Sequence, residues 1–91
     1  GAGAQVGSHG IFHTGVIIDH KAVVEDYVQV GAGSIINSEV ILEEGAFIGS
    51  GVTIVSGVRI GAGARVGAGS VVISSVGKNE TVFGNPAVKV K

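Results

Sequence analysis

Every sixth residue from Val6 onward is large and apolar: Val6, Phe12, Ile18, Val24, Val30, Ile36, Leu42, Ile48, Ile54, Ile60, Val66 and Val72. This is neither the 3.6-residue stripe of a helix nor the two-residue alternation of a plain strand. It fits a short strand followed by a turn, repeated. Four residues after each apolar position the side chain is small or β-branched, from Gly10 and Val16 through Ala64, Ser70 and Val76. Three residues after it glycine recurs, at Gly15, Gly33, Gly45, Gly51, Gly57, Gly63 and Gly69. Glycine is the residue that a turn with positive φ asks for. Three strand-turn units close a triangular coil of about 18 residues, and such coils stack about 4.8 Å apart as a parallel β-solenoid. The expected fold is all-β: about five triangular coils over residues 1–76, then a closing segment over residues 77–91.

Composition agrees with a core of that kind. The 91 residues are 45% hydrophobic but only 4% aromatic, so the interior is built from small branched side chains that favour strands. The length suits one small domain. A net charge of −1 gives no electrostatic case for nucleic acid or an anionic membrane. Without cysteine, disulfides, zinc thiolates and thiol catalysis are excluded. No apolar run is long enough to span a bilayer and no signal peptide is visible. A cytoplasmic domain is expected.

Residues just before each apolar position face outward. One outward column stacks Ile17, Ile35, Thr53 and Val71; another stacks Val23 and Ile41 before Arg59; a third runs Ile11, Gln29, Phe47, Arg65 and Phe83. Contiguous aliphatic stripes of this kind are seldom left in water, so burial against other copies of the chain is expected.

Two residues after each apolar position lies a corner column: Ser8, Thr14, His20, Asp26, Ala32, Ser38, Glu44, Ser50, Ser56, Ala62, Ala68 and Ser74. His20 is its only imidazole. A neutral histidine can take a proton at physiological pH, which an attacking amine or hydroxyl needs from a general base. The alternative is a corner residue in water with no task. His9, which stacks on Tyr27, and His13 complete the histidines. All three precede residue 21, with none in later coils, and no metal site is expected. Glu25 stacks on Glu43, and Asp26 on Glu44. Like charges so placed repel mildly and are expected to splay into water rather than hold a cation.

The six-residue repeat, with the ending Phe83-Gly84-Asn85-Pro86-Ala87-Val88-Lys89-Val90, resembles the hexapeptide-repeat acyltransferases. That resemblance covers nearly the whole chain and implies a left-handed β-helix and a homotrimer with parallel coil axes. The segment GVIIDHKAVVEDYVQVG, Gly15 to Gly31, is similar to the sialic-acid O-acetyltransferase and bacillosamine-type amino-sugar N-acetyltransferase group. The resemblance implies acetyl-CoA as co-substrate and a small amino sugar or nucleotide sugar as acceptor. It makes His20 the general base, at a cleft between two subunits. It places coenzyme A in the groove between coils against Gln29, Gly49, Ser50, Gly67 and Ala68, with His13 bordering the acceptor pocket. It also implies a nucleotide-sugar-binding domain upstream of the coil. Two positions depart from the pattern: Lys21 stands where an acid usually follows the histidine, and Gln29 where a second histidine stands. Strand alternation is expected to turn Asp19 away from His20 unless the corner geometry intervenes. Two other readings are a trimeric scaffold with degraded catalytic surroundings and a metal-dependent enzyme like the carbonic anhydrases built on related coils.

Overall fold

The computed structural model describes residues 3–90. Among them fourteen strands follow in chain order: β1 Gln5–Val6, β2 Ile11–Phe12, β3 Ile17–Ile18, β4 Val23–Val24, β5 Gln29–Val30, β6 Ile35–Ile36, β7 Ile41–Leu42, β8 Phe47–Ile48, β9 Thr53–Ile54, β10 Arg59–Ile60, β11 Arg65–Val66, β12 Val71–Val72, β13 Thr81–Gly84 and β14 Ala87–Lys89. They form three sheets, one for each face of the coil. The first is ordered β1-β4-β7-β10, the second β14-β13-β11-β8-β5-β2, and the third β12-β9-β6-β3. The described residues are thus an all-β parallel solenoid, consistent with a left-handed β-helix.

A two-residue strand has one side chain pointing out and one pointing in. The inward residues stack in register: Ile18 on Ile36, Ile36 on Ile54, and Ile54 on Val72. Ile36, Leu42, Ile48, Ile54 and Ile60 are fully buried, each contributing about 1.5–3 kcal/mol of burial. The small column (Val28, Val40, Ala46, Val52, Val58 and Ala64) fills the space beside them. The seven recurring glycines all take positive φ, as their spacing requires, and His9, Tyr27, Glu39 and Asn79 adopt the same left-handed conformation. A non-glycine residue there costs about 1–2 kcal/mol. For His9 and Tyr27 the stacking of their rings, 4.9 Å apart and 12° from parallel, offsets part of it.

The last coil departs from the sequence expectation. Ile60 bridges to Val76 and Arg65 pairs with Thr81, so this coil is two residues shorter than the others. Val76 therefore belongs to the large apolar column rather than the small one, and Asn79 fills the left-handed slot after it. Thr81, not Phe83, stacks on Arg65. The rungs at Val6, Val24, Leu42, Ile60 and Val76 enclose about four full turns rather than five. Residues Ile73, Ser74 and Ser75 carry no turn glycine, and Ser75 Oγ accepts the Arg59 N–H at 3.1 Å as the chain cuts that corner. After it, β13 pairs in parallel with β11 and antiparallel with β14, and the hairpin is tied down by Gly84 N–H donating to the buried Ser70 Oγ at 3.0 Å.

Candidate active site

The corner between the third and first sheets runs from β3 through Asp19, His20, Lys21 and Ala22 to β4. Ala22 N–H donates to the Asp19 carbonyl at 3.0 Å, closing the turn. Lys21 occupies the slot that takes positive φ at most other corners, yet its own φ is not positive. The Asp19 side chain accounts for the different turn: Asp19 Oδ1 accepts the Lys21 N–H at 3.1 Å. The same oxygen lies 3.1 Å from His20 Nδ1. Asp19 is therefore not turned away from His20. Alternation holds only within a strand, and β3 ends one residue earlier. In the tautomer that carries its proton on Nδ1, a neutral His20 keeps its lone pair on Nε2. The imidazole is 59% exposed. Gly3 runs beneath, where a Cβ would come within 3.3 Å of the His20 carbonyl oxygen.

Asp19 is the neighbour of His20 that alternation concealed. Its signal in the sequence is local: an aspartate two residues before a non-glycine at the turn slot, the pattern by which aspartate bonds to its own backbone two residues on.

The corner between the second and third sheets carries the other candidates. His13, Gly31, Gly49 and Gly67 stack one above another, each following a strand of the second sheet, and Ser50 and Ala68 stand exposed beside the upper two. A Cβ on Gly31 would lie 2.5 Å from Ser50 N, and one on Gly49 2.7 Å from Ala68 N, so backbone packs directly on backbone there. Over Gly67 the place of that next turn is taken by the Phe83 ring. Gln29 is exposed on the outer face of the second sheet, in register with Phe47. Ser34 adjusts this corner from within: its buried hydroxyl donates to the Gly49 carbonyl at 2.8 Å and accepts the Val52 N–H at 3.1 Å.

One corner thus gathers Gln29, Gly49, Ser50, Gly67, Ala68 and His13, while His20 stands at the next, across the outer face of the third sheet. Among the described residues a single copy has no enclosed pocket.

The carboxylates of the remaining corner do not splay freely. Asp26 Oδ1 accepts the Ser8 N–H at 2.8 Å and Glu25 Oε1 accepts the Glu44 N–H at 3.1 Å. Glu43 Oε1 accepts the Ala62 N–H at 3.1 Å while Oε2 pairs with Arg59. They tie successive coils together. Among the described residues no three histidine or carboxylate side chains gather where they could hold a metal ion.

Residues 21–55 and 39–74 match the family described as bacterial transferase hexapeptide, six repeats. This chain belongs to that family. Among solved structures, its hexapeptide coil superimposes with a TM-score of 0.95 on a histidine-to-alanine variant of GDP-perosamine N-acetyltransferase from Caulobacter crescentus, in complex with CoA and GDP-perosamine. Identity is 31%, over 97% of this chain and 42% of that one. A serine acetyltransferase in complex with CoA superimposes with a TM-score of 0.93 at 31% identity, over 97% of this chain and 39% of that one. A serine O-acetyltransferase from Brucella melitensis gives 0.93 at 33% identity, over 97% and 40%. No curated protein matches. The hexapeptide chain spans about two-fifths of the length of these neighbours.

Proposed function

We propose that this coil is the acyl-transfer domain of an acetyl-CoA-dependent acetyltransferase acting on an amino sugar or nucleotide sugar, with His20 as general base. The Asp19–His20 pair carries the reading. Asp19 Oδ1 stands 3.1 Å from His20 Nδ1, and Nε2 serves as the proton acceptor. The acceptor amine or hydroxyl attacks the thioester carbonyl as Nε2 takes its proton. Collapse of the tetrahedral intermediate breaks the C–S bond, and the imidazolium returns the proton to the departing thiolate. Gln29 donates a hydrogen bond to the acyl-CoA arm, and the small corners at Gly49, Ser50, Gly67 and Ala68 let that arm approach the backbone. His13 borders the acceptor. The bound ligands of the perosamine enzyme support both the coenzyme and the sugar.

The reading requires more than one copy. His20 and the glycine corner lie on different edges of one prism. The outer face between them carries Ile17, Ile35, Thr53 and Val71. A homotrimer that covers this face sets the His20 corner of one copy against the glycine corner of the next. We place the activity in the cytoplasm.

The test is thiol release from acetyl-CoA in the presence of amino sugars and nucleotide sugars. The chain has no cysteine and adds no thiol background. Release that depends on acceptor and is lost in His20→Ala supports the reading. Lys21 and Gln29 favour a second one, a trimeric coil without transfer chemistry, and acceptor-independent release equal in both proteins would establish it.

A further inference from the structure

The charges of this chain are sorted along the coil axis. Residues 1–45 hold six carboxylates (Asp19, Glu25, Asp26, Glu39, Glu43 and Glu44) against Lys21 alone. Residues 46–91 hold one carboxylate, Glu80, against Arg59, Arg65, Lys78, Lys89 and Lys91. Coils stack in chain order, so the described residues of the two halves form two ends of the molecule, one acidic and one basic.

The basic end is partly neutralised from within. Arg59 pairs with Glu43, and Lys89 lies 3.4 Å from Glu80. Arg65 is exposed and has no carboxylate within ion-pair distance among the described residues. Its register neighbours, Phe47 on one side and Thr81 on the other, are uncharged. It stands on the outer face of the second sheet in the column Gln29–Phe47–Arg65, two residues before Gly67. Gln29 and Arg65 are two rungs, about 10 Å, apart.

We infer that Arg65 binds a phosphate of the nucleotide half of acyl-CoA and so sets the direction in which that ligand lies along the coil; this rests on the acyl-CoA reading above. The ligand is chemically polar in the same sense as the protein. Its acyl end is neutral and must reach His20, in the acidic half. Its other end carries phosphates, which the carboxylates of the first coils repel and the basic end attracts. A ligand running from Gln29 past Phe47 brings its phosphates to Arg65. An unpaired guanidinium presents there the planar fork that phosphate oxygens accept bidentately. Lys78, equally free of a carboxylate, lies over Gly61 at the opposite corner and serves as a control of identical charge change.

Calorimetric titration with CoA and with adenosine 3′,5′-bisphosphate, using the whole chain, tests this. Arg65→Gln is expected to bind both about 10-fold more weakly than wild type, the lower end of what one charge-assisted hydrogen bond supplies at an exposed site. Arg65→Lys is expected to retain most of the affinity, and Lys78→Gln all of it. Far-ultraviolet circular dichroism confirms that each variant is folded. Wild-type affinity for CoA in Arg65→Gln, or an equal loss in Lys78→Gln, overturns the role of Arg65 and leaves the acyl-CoA reading standing. Failure of the folded wild type to bind CoA overturns both.

Discussion

Ser34→Ala tests the internal packing of the glycine corner. The Ser34 hydroxyl is fully buried and makes two bonds, to the Gly49 carbonyl at 2.8 Å and from the Val52 N–H at 3.1 Å. The equivalent turns of the neighbouring coils close directly, Ser34 N–H to Gly31 O and Ser70 N–H to Gly67 O, both at 3.3 Å. At the 49–52 turn the hydroxyl is inserted between the same two groups. Its removal forfeits about 1 kcal/mol net per bond, about 2 kcal/mol in all. The loss falls toward about 1 kcal/mol if the turn tightens to the direct bond of its neighbours. The chain has no tryptophan, so urea unfolding is best followed by circular dichroism at fixed protein concentration. With a urea slope of about 1–3 kcal/mol per molar, the midpoint drops by about 1 M. Ser56→Ala, at an exposed corner, stays within about 0.5 kcal/mol of wild type. A Ser34→Ala midpoint equal to or above that of wild type would show that the hydroxyl does not bridge this turn.

His20→Ala lowers the initial rate of acetyl transfer by about 10²–10⁴-fold, whereas Asp19→Asn, which keeps the imidazole but removes its anionic partner, gives a smaller loss; equal rates for Asp19→Asn and wild type would remove Asp19 from the site. Gly49→Ala places a methyl 2.7 Å from Ala68 N, backbone that cannot swing aside, and lowers the melting temperature; an unchanged melt contradicts the close packing of that corner. Glu80 has its carboxyl held below the ordinary carboxylate range, first by the Gly77 N–H and then by Lys89. Its contribution to stability is therefore present above the unfolded-state value and lost as pH falls through the lower folded one. Glu80→Gln should melt below wild type at pH 7 and converge with it in acid, and a gap unchanged at acid pH would dissociate Glu80 from that ionic role. Sedimentation of the intact chain should give a trimer, and a monomer at tens of micromolar protein would contradict burial of the third sheet's outer face.

The coil was legible because one position repeats without interruption from Val6 to Val72 and every registered pair in those coils obeys it. It ceased to be legible where two residues were dropped. Valine suits both the large and the small column, so Val76 looked in register in the wrong one. The carboxylate stacks showed their repulsion in the sequence but not the backbone N–H groups of the adjacent coil that accommodate it. His20 could be singled out as the one imidazole in a column otherwise dominated by small residues. Asp19 is hidden by strand alternation and is legible only through the local turn pattern, an aspartate two residues before the non-glycine Lys21. The convergence of Gln29, Gly49, Ser50, Gly67 and Ala68 follows from the register. How that corner meets His20 depends on packing between copies, which no single chain's periodicity encodes.

We propose a coil that binds acyl-CoA along its glycine corner and transfers the acyl group with His20. The most direct measurement is calorimetric titration of the folded chain with CoA, recording stoichiometry, in wild type and His20→Ala. Saturable binding near one CoA per chain is expected in both, since His20 serves the proton and not the coenzyme. Absence of saturable binding at millimolar CoA, by protein shown to be folded and trimeric, would contradict it.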